Sequence, residues 1–86
     1  METTFNAIEK ANKLHLAARE HLDLAHYDLA ETKYRDGIDI LMAILDPLHV
    51  SYVDMLKGLL VCVTKQGKDD EAEKVRGVIA QLAFGQ

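Results

Sequence analysis

The sequence predicts an all-α fold of four helices, arranged as two antiparallel helix-turn-helix hairpins stacked in a short array. Three observations carry this prediction. Apolar residues recur at three- and four-residue steps along most of the chain. Two punctuation points, Asp46-Pro47 and Gln66-Gly67-Lys68, and a softer polar break near His26 leave segments of helical length. A shift of 42 positions lays part of the pattern on itself, setting Ala30 on Ala72 and Leu14 on Leu56.

The first helix is expected from about Thr4 to Asp23, with Thr3 or Thr4 as its cap and Ile8, Ala11, Leu14, Ala18 and Leu22 as its stripe. The second runs from about Tyr27 to Leu45. Its stripe is Tyr27, Ala30, Tyr34, Gly37, Ile38, Leu41 and Leu45, and Ile40 and Ile44 widen it, so burial on more than one side is expected. Pro47 ends this helix, because it removes a donor and restricts its predecessor. The third runs from about Ser51 to Lys65, carrying Val53, Leu56, Leu59, Leu60 and Val63. The β-branched stretch Val61-Cys62-Val63-Thr64 is its ambiguous part. The fourth runs from about Asp69 to Leu82, with carboxylates at its positive end and Ala72, Val75, Ile79 and Leu82 inward. Gly67 suits the left-handed turn between the last two helices.

Length and composition narrow the function. The 86 residues form one domain, with repeat units at about 11–48 and about 51–84. At 49% hydrophobic and 28% charged, the chain has the composition of a folded soluble protein rather than a disordered tail. The longest apolar stretch, Gly58 to Val63, is far below the roughly 18 residues of a membrane helix. The start carries acids and no basic segment ahead of an apolar run, so no secretory signal is expected. The lone Cys62 fits a reducing compartment, and a cytoplasmic location is expected. Residues 1–43 hold eight acids and five bases and the rest six and five, without a basic cluster, which argues against nucleic acid as partner.

The residues also resemble a known repeat. Leu45-Asp46-Pro47-Leu48-His49-Val50 is similar to the Leu-Gly-Pro-Asp-His-Pro that closes a tetratricopeptide repeat of the longer form found in kinesin light chains and related bacterial proteins. Lys65-Gln66-Gly67-Lys68 followed by Asp70-Glu71-Ala72-Glu73 resembles the turn and partner-helix start of the same family. Tyr27, Ala30, Tyr34 and Gly37 stand at its aromatic, small, aromatic and later small positions. The departures are Leu14 at the tryptophan-or-bulky position, Ala18 for a glycine, Ala25-His26 in a first turn without glycine, and Asp69 and Arg76 for aromatics. A generic four-helix bundle remains open at this point. So does a three-helix domain of the kind that binds short helical peptides in membrane-trafficking proteins.

The resemblance implies a groove lined by the first helix of each pair. By position, Asn12, His15, Arg19 and Leu22 would line it from one helix, and Asp54, Lys57, Val61 and Lys65 from the other. Lys57 matches a basic position of the family's carboxylate clamp. Val61 stands where an asparagine is expected and His15 where a lysine is, so the chaperone-tail clamp is not supported. Arg19, Lys57 and Lys65 would still attract an acidic peptide.

The remaining polar residues read as structural. His21 and His26 are five apart and point to different faces, which does not suit a helical zinc pair; His49 falls in the inter-repeat turn. Cys62 sits in an apolar helix without a base in register. Gly67-Lys68 lacks a phosphate-loop framework, and Asp69-Asp70-Glu71 lacks the alternating ligands of a calcium loop. No metal, cofactor or catalysis is therefore expected.

Two repeats are few for a stacked array. Val75, Val78, Leu82 and Phe84 on the last helix are accordingly expected to cover a homodimer interface or dock on another protein. Two functions follow as expectations: an adaptor or scaffold binding a peptide or protein segment in the groove, and a small structural or regulatory subunit of a larger assembly.

Overall fold

The computed structural model describes residues 4–44 and 50–84, with side chains over 6–44 and 51–83. Thr3, the Thr4 hydroxyl, the Leu45-to-His49 motif and the Phe84 side chain lie outside the described residues. Four helices are described: α1 (Thr4–Asp23), α2 (Tyr27–Ile44), α3 (Val50–Lys65) and α4 (Asp69–Phe84). The β-branched stretch of α3 is helical, because its neighbours at three- and four-residue spacing are buried and dictate the local backbone.

Each helix packs on the next in sequence. α1 lies on α2, α2 on α3 and α3 on α4, while α1 touches α3 lightly and the α4 backbone approaches neither α1 nor α2 closely. A closed bundle would bring the first and last helices together. This chain is instead an open stack of two hairpins, 39 × 33 × 16 Å, thin enough for about two helix layers at 8–10 Å spacing.

The two hairpin turns are the same turn, 42 residues apart. The His26 N–H donates to the His21 carbonyl at 2.8 Å, and the Lys68 N–H to Val63 at 2.9 Å. Ala25 N–H donates to Leu22 at 3.0 Å, and Gly67 N–H to Thr64 at 3.1 Å. Ala30 and Ala72 donate back to His26 and Lys68, each at 2.9 Å. This paired arrangement satisfies the last carbonyls of a helix and requires a left-handed residue just past its end. Gly67 fills that place at φ 74°, and Ala25 fills it at φ 60°. The first turn therefore keeps the geometry that its lack of glycine put in doubt, at a conformational cost. Replacing Ala25 by Gly is expected to raise stability by about 0.5–1 kcal/mol, and Gly67→Ala to lower it by about 1 kcal/mol. A Cβ at Gly67 would meet nothing within 4 Å, so urea-denaturation midpoints would read backbone strain alone.

The core runs through the middle of the stack. Ala11 and Ala18 of α1, Ala30, Tyr34, Ile38 and Leu41 of α2, Met55, Leu59, Cys62 and Val63 of α3, and Ala72 and Val75 of α4 are all buried. Small residues on α1 let α2 approach closely. Tyr34 is the largest fully buried side chain, and it lies against the backbone of Gly58. A Cβ at Gly58 would come within 2.6 Å of Tyr34 Cε1 and Oη, so this glycine is a packing requirement.

One carboxylate ties the hairpins together. Glu31 on α2 is buried, its side chain only 11% exposed. Its Oε1 accepts hydrogen bonds from Gln66 Nε2 and Lys68 Nζ, both at 2.8 Å, and its Oε2 accepts from Arg35 Nε at 2.8 Å. Arg35 Nη2 reaches on to Glu71 Oε2 of α4 at 3.0 Å. Burial pushes the Glu31 pKa up, but the hydrogen bonds from Lys68, Arg35 and Gln66 outweigh it and hold the carboxyl at about 2, below its ordinary 4.5.

At the two ends of the stack, polar residues or alanines stand where the buried large residues of the middle helices would repeat. Tyr52, Met55 and Cys62 are buried on α3, whereas Lys10, Lys13 and Glu20, 42 positions earlier on α1, are exposed. Likewise Glu31, Tyr34, Ile38 and Leu41 are buried on α2, whereas Glu73, Arg76, Ala80 and Ala83 are exposed on α4. Polar outer faces are what solenoid ends need for solubility.

Candidate functional site

The α1–α3 groove gathers part of the predicted set. His15, Arg19 and Leu22 of α1 and Asp54 of α3 surround a cleft of about 360 Å³, together with Asp23 and Tyr34. These positions follow from helix period and packing. His15, Arg19 and Leu22 fall on one face of α1, and α2 supplies the floor because it lies beneath both α1 and α3. The Tyr34 and His15 rings meet at 5.9 Å between centroids, tilted by 56°. Burial and the Arg19 charge lower the His15 pKa, and Asp54 only partly offsets them, so His15 is neutral at pH 7.

Asn12, Lys57, Val61 and Lys65 do not line this cleft. All four are exposed, with Lys57, Val61 and Lys65 continuing the Asp54 face of α3 by helical spacing. The cleft itself sets one guanidinium, Arg19, beside two carboxylates, Asp23 and Asp54. It is thus mixed in charge rather than cationic, and its basic character comes from Lys57 and Lys65 beyond it. Sequence reasoning missed Tyr34 and Asp23 as lining residues. The aromatic was read as core, which it also is, and Asp23 ends α1 just past Leu22.

The terminal-helix residues divide. Val75 faces the core and is buried, and Leu82 packs half-buried against it. Val78 presents apolar surface, at 38% exposure. The Phe84 side chain lies outside the described residues. α3 covers the Val75 side of this helix.

The chemistry-bearing residues have structural surroundings. Cys62 is fully buried, and burial, with the Glu31 charge behind it, pushes its thiol up to about 11. At neutral pH it stays protonated and is a poor nucleophile. The His21 and His26 rings lie 5.7 Å apart, and His21 Nδ1 is buried without a hydrogen-bond partner among the described residues. Among the described residues no three His, Cys, Asp or Glu side chains converge as metal ligands. Asp69, Asp70 and Glu71 occupy the first turn of α4, where the helix dipole favours them, and Glu71 is paired with Arg35. No described helix is long and apolar enough to cross a membrane.

Compared with known proteins, the chain matches no family model, and no curated protein or solved structure matches it.

Proposed function

We propose that the chain is a non-catalytic protein-interaction module of the tetratricopeptide type, which binds a peptide or protein segment along the α1–α3 groove in the cytoplasm. The observation carrying this reading is the cleft in which His15, Arg19, Leu22 and Asp54 meet over Tyr34. The recurrence of the main turn bonds after 42 residues supports the repeat type. In such a groove Leu22 and the Tyr34 ring offer apolar contact, while Arg19 and Lys57 hold an acidic side chain and Asp23 and Asp54 a basic one. The preferred ligand is therefore a segment of mixed charge. Loops and helix faces on a rigid scaffold commonly serve this role.

The test uses peptides selected from a displayed random library, with affinity read by fluorescence anisotropy. Arg19→Glu combined with Lys57→Glu is expected to weaken the selected peptides by about tenfold or more, since charge reversal makes the contacts repulsive. Both positions are exposed, so circular dichroism and the thermal midpoint stay unchanged. Equal affinity for variant and parent would remove the groove as the binding surface. A second reading, a small structural or regulatory subunit docking through α4, draws on the exposed Val78. Under it the same double variant assembles normally.

A further inference from the structure

A second groove, sharing no lining residue with the first, lies between α2 and α4. The backbones of these helices do not pack together, and α3 forms the floor between them. The groove encloses about 400 Å³. Its floor is apolar: Tyr52, Leu56 and Leu59, each 4–7% exposed. Its walls climb in helical turns. At one end the Arg35–Glu71 ion pair bridges the gap at 3.0 Å. One turn further along each wall stand Asp39 on α2 and Lys74 on α4, neither with an ion-pair partner among the described residues. One more turn brings Met42, 60% exposed, and Val78. The groove is closed by charge at one end and opens on apolar rims at the other.

We propose that a second copy of this chain covers this groove, related by a twofold axis running along it. Rotation about that axis lays α2 of one copy over α4 of the other at the same height. Asp39 of each copy then meets Lys74 of the other, and Met42 meets Val78, so every contact occurs twice. An axis across the groove would lay α2 on α2 and oppose like charges. The rim charges therefore select both the occupant and the orientation. End-to-end stacking does not compete, because Lys10, Lys13 and Glu20 at one end and Glu73 and Arg76 at the other are polar and exposed.

Sedimentation equilibrium of the full chain, from micromolar to millimolar concentration, tests this. A reversible dimer is expected, and Met42→Asp is expected to shift it to monomer. Asp39→Lys alone and Lys74→Asp alone should each raise the dimer Kd by about tenfold, because two pairs become repulsive at once. The two changes together should restore it to near the parent value. Asp39, Met42 and Lys74 are all exposed, so circular dichroism reports an unchanged fold in each variant. A monomer at every concentration overturns the proposal. So does a dimer indifferent to Met42→Asp, or single charge reversals that the double variant does not rescue. Binding of an unrelated amphipathic helix in the groove by a monomeric chain would also overturn it, replacing the second copy as occupant.

Discussion

Tyr34→Ala is expected to cost about 3–5 kcal/mol, the usual range for emptying a large aromatic site in a core. A domain of this size has a total stability of roughly 5–10 kcal/mol, so the variant would lose a large fraction of it and melt at a markedly lower temperature. The magnitude follows from position. Tyr34 is 2% exposed and reaches between α1 and α3, touching the His15 ring on one side and the Gly58 backbone on the other. Among the described residues no other fully buried side chain is as large. The Gly58 contact gives a sharper form of the test. Gly58→Ala alone should destabilise by about 1–3 kcal/mol through overpacking, despite the better helix propensity of alanine. In a Tyr34→Leu background the obstruction is gone, and the same change should become neutral or slightly stabilising. Urea denaturation of the four chains gives the coupling energy directly. A Gly58→Ala chain as stable as the parent would mean that the ring does not rest on that backbone.

Glu31→Gln should lower stability at pH 7 by roughly 2–3 kcal/mol. A carboxyl held at about 2 instead of 4.5 in the folded chain favours the charged, folded form by about 3 kcal/mol. Arg35 and Lys68 are 41% and 44% exposed, so solvent takes up part of their charge when the carboxylate is lost, which places the effect toward the lower figure. The sign follows from the direction of the shift. The folded-state pKa lies below the unfolded one, so the stabilisation is complete above about pH 4.5 and is lost as pH falls toward 2. The gap between parent and Glu31→Gln should therefore close over that window. Denaturation midpoints of both chains between pH 7 and 2 would reveal it, and parallel curves would deny Glu31 its role.

Much of the fold is legible in the sequence. The limits at the two hairpin turns, Asp23 and Tyr27 and then Lys65 and Asp69, are those expected from apolar spacing and Gly67, while the stop expected at Pro47 lies outside the described residues. Helix ends are local events, set by a few neighbouring residues, and so are visible in one dimension. The groove was half legible. His15, Arg19, Leu22 and Asp54 come together, while Asn12, Lys57, Val61 and Lys65 stay on its flanks. Spacing assigns a residue to a helix face but does not fix the height at which two helices meet. Gly58 left a signal that went unused: a glycine inside an apolar helical run costs about 1 kcal/mol against alanine and asks for a packing reason. Glu31 left less, since a lone carboxylate beside Ala30 reads as solvated until Gln66 and Lys68 are seen opposite it.

By itself, the sequence determined four helices, two hairpins and a register of 42, because periodicity, turn chemistry and breakers act between residues close along the chain. Tertiary structure alone decided that the stack is open, that Ala25 adopts a left-handed turn, and that Glu31 is held as a buried anion. Each of these depends on what lies across an interface, and burial, strain and charge pairing exist only once the helices have met.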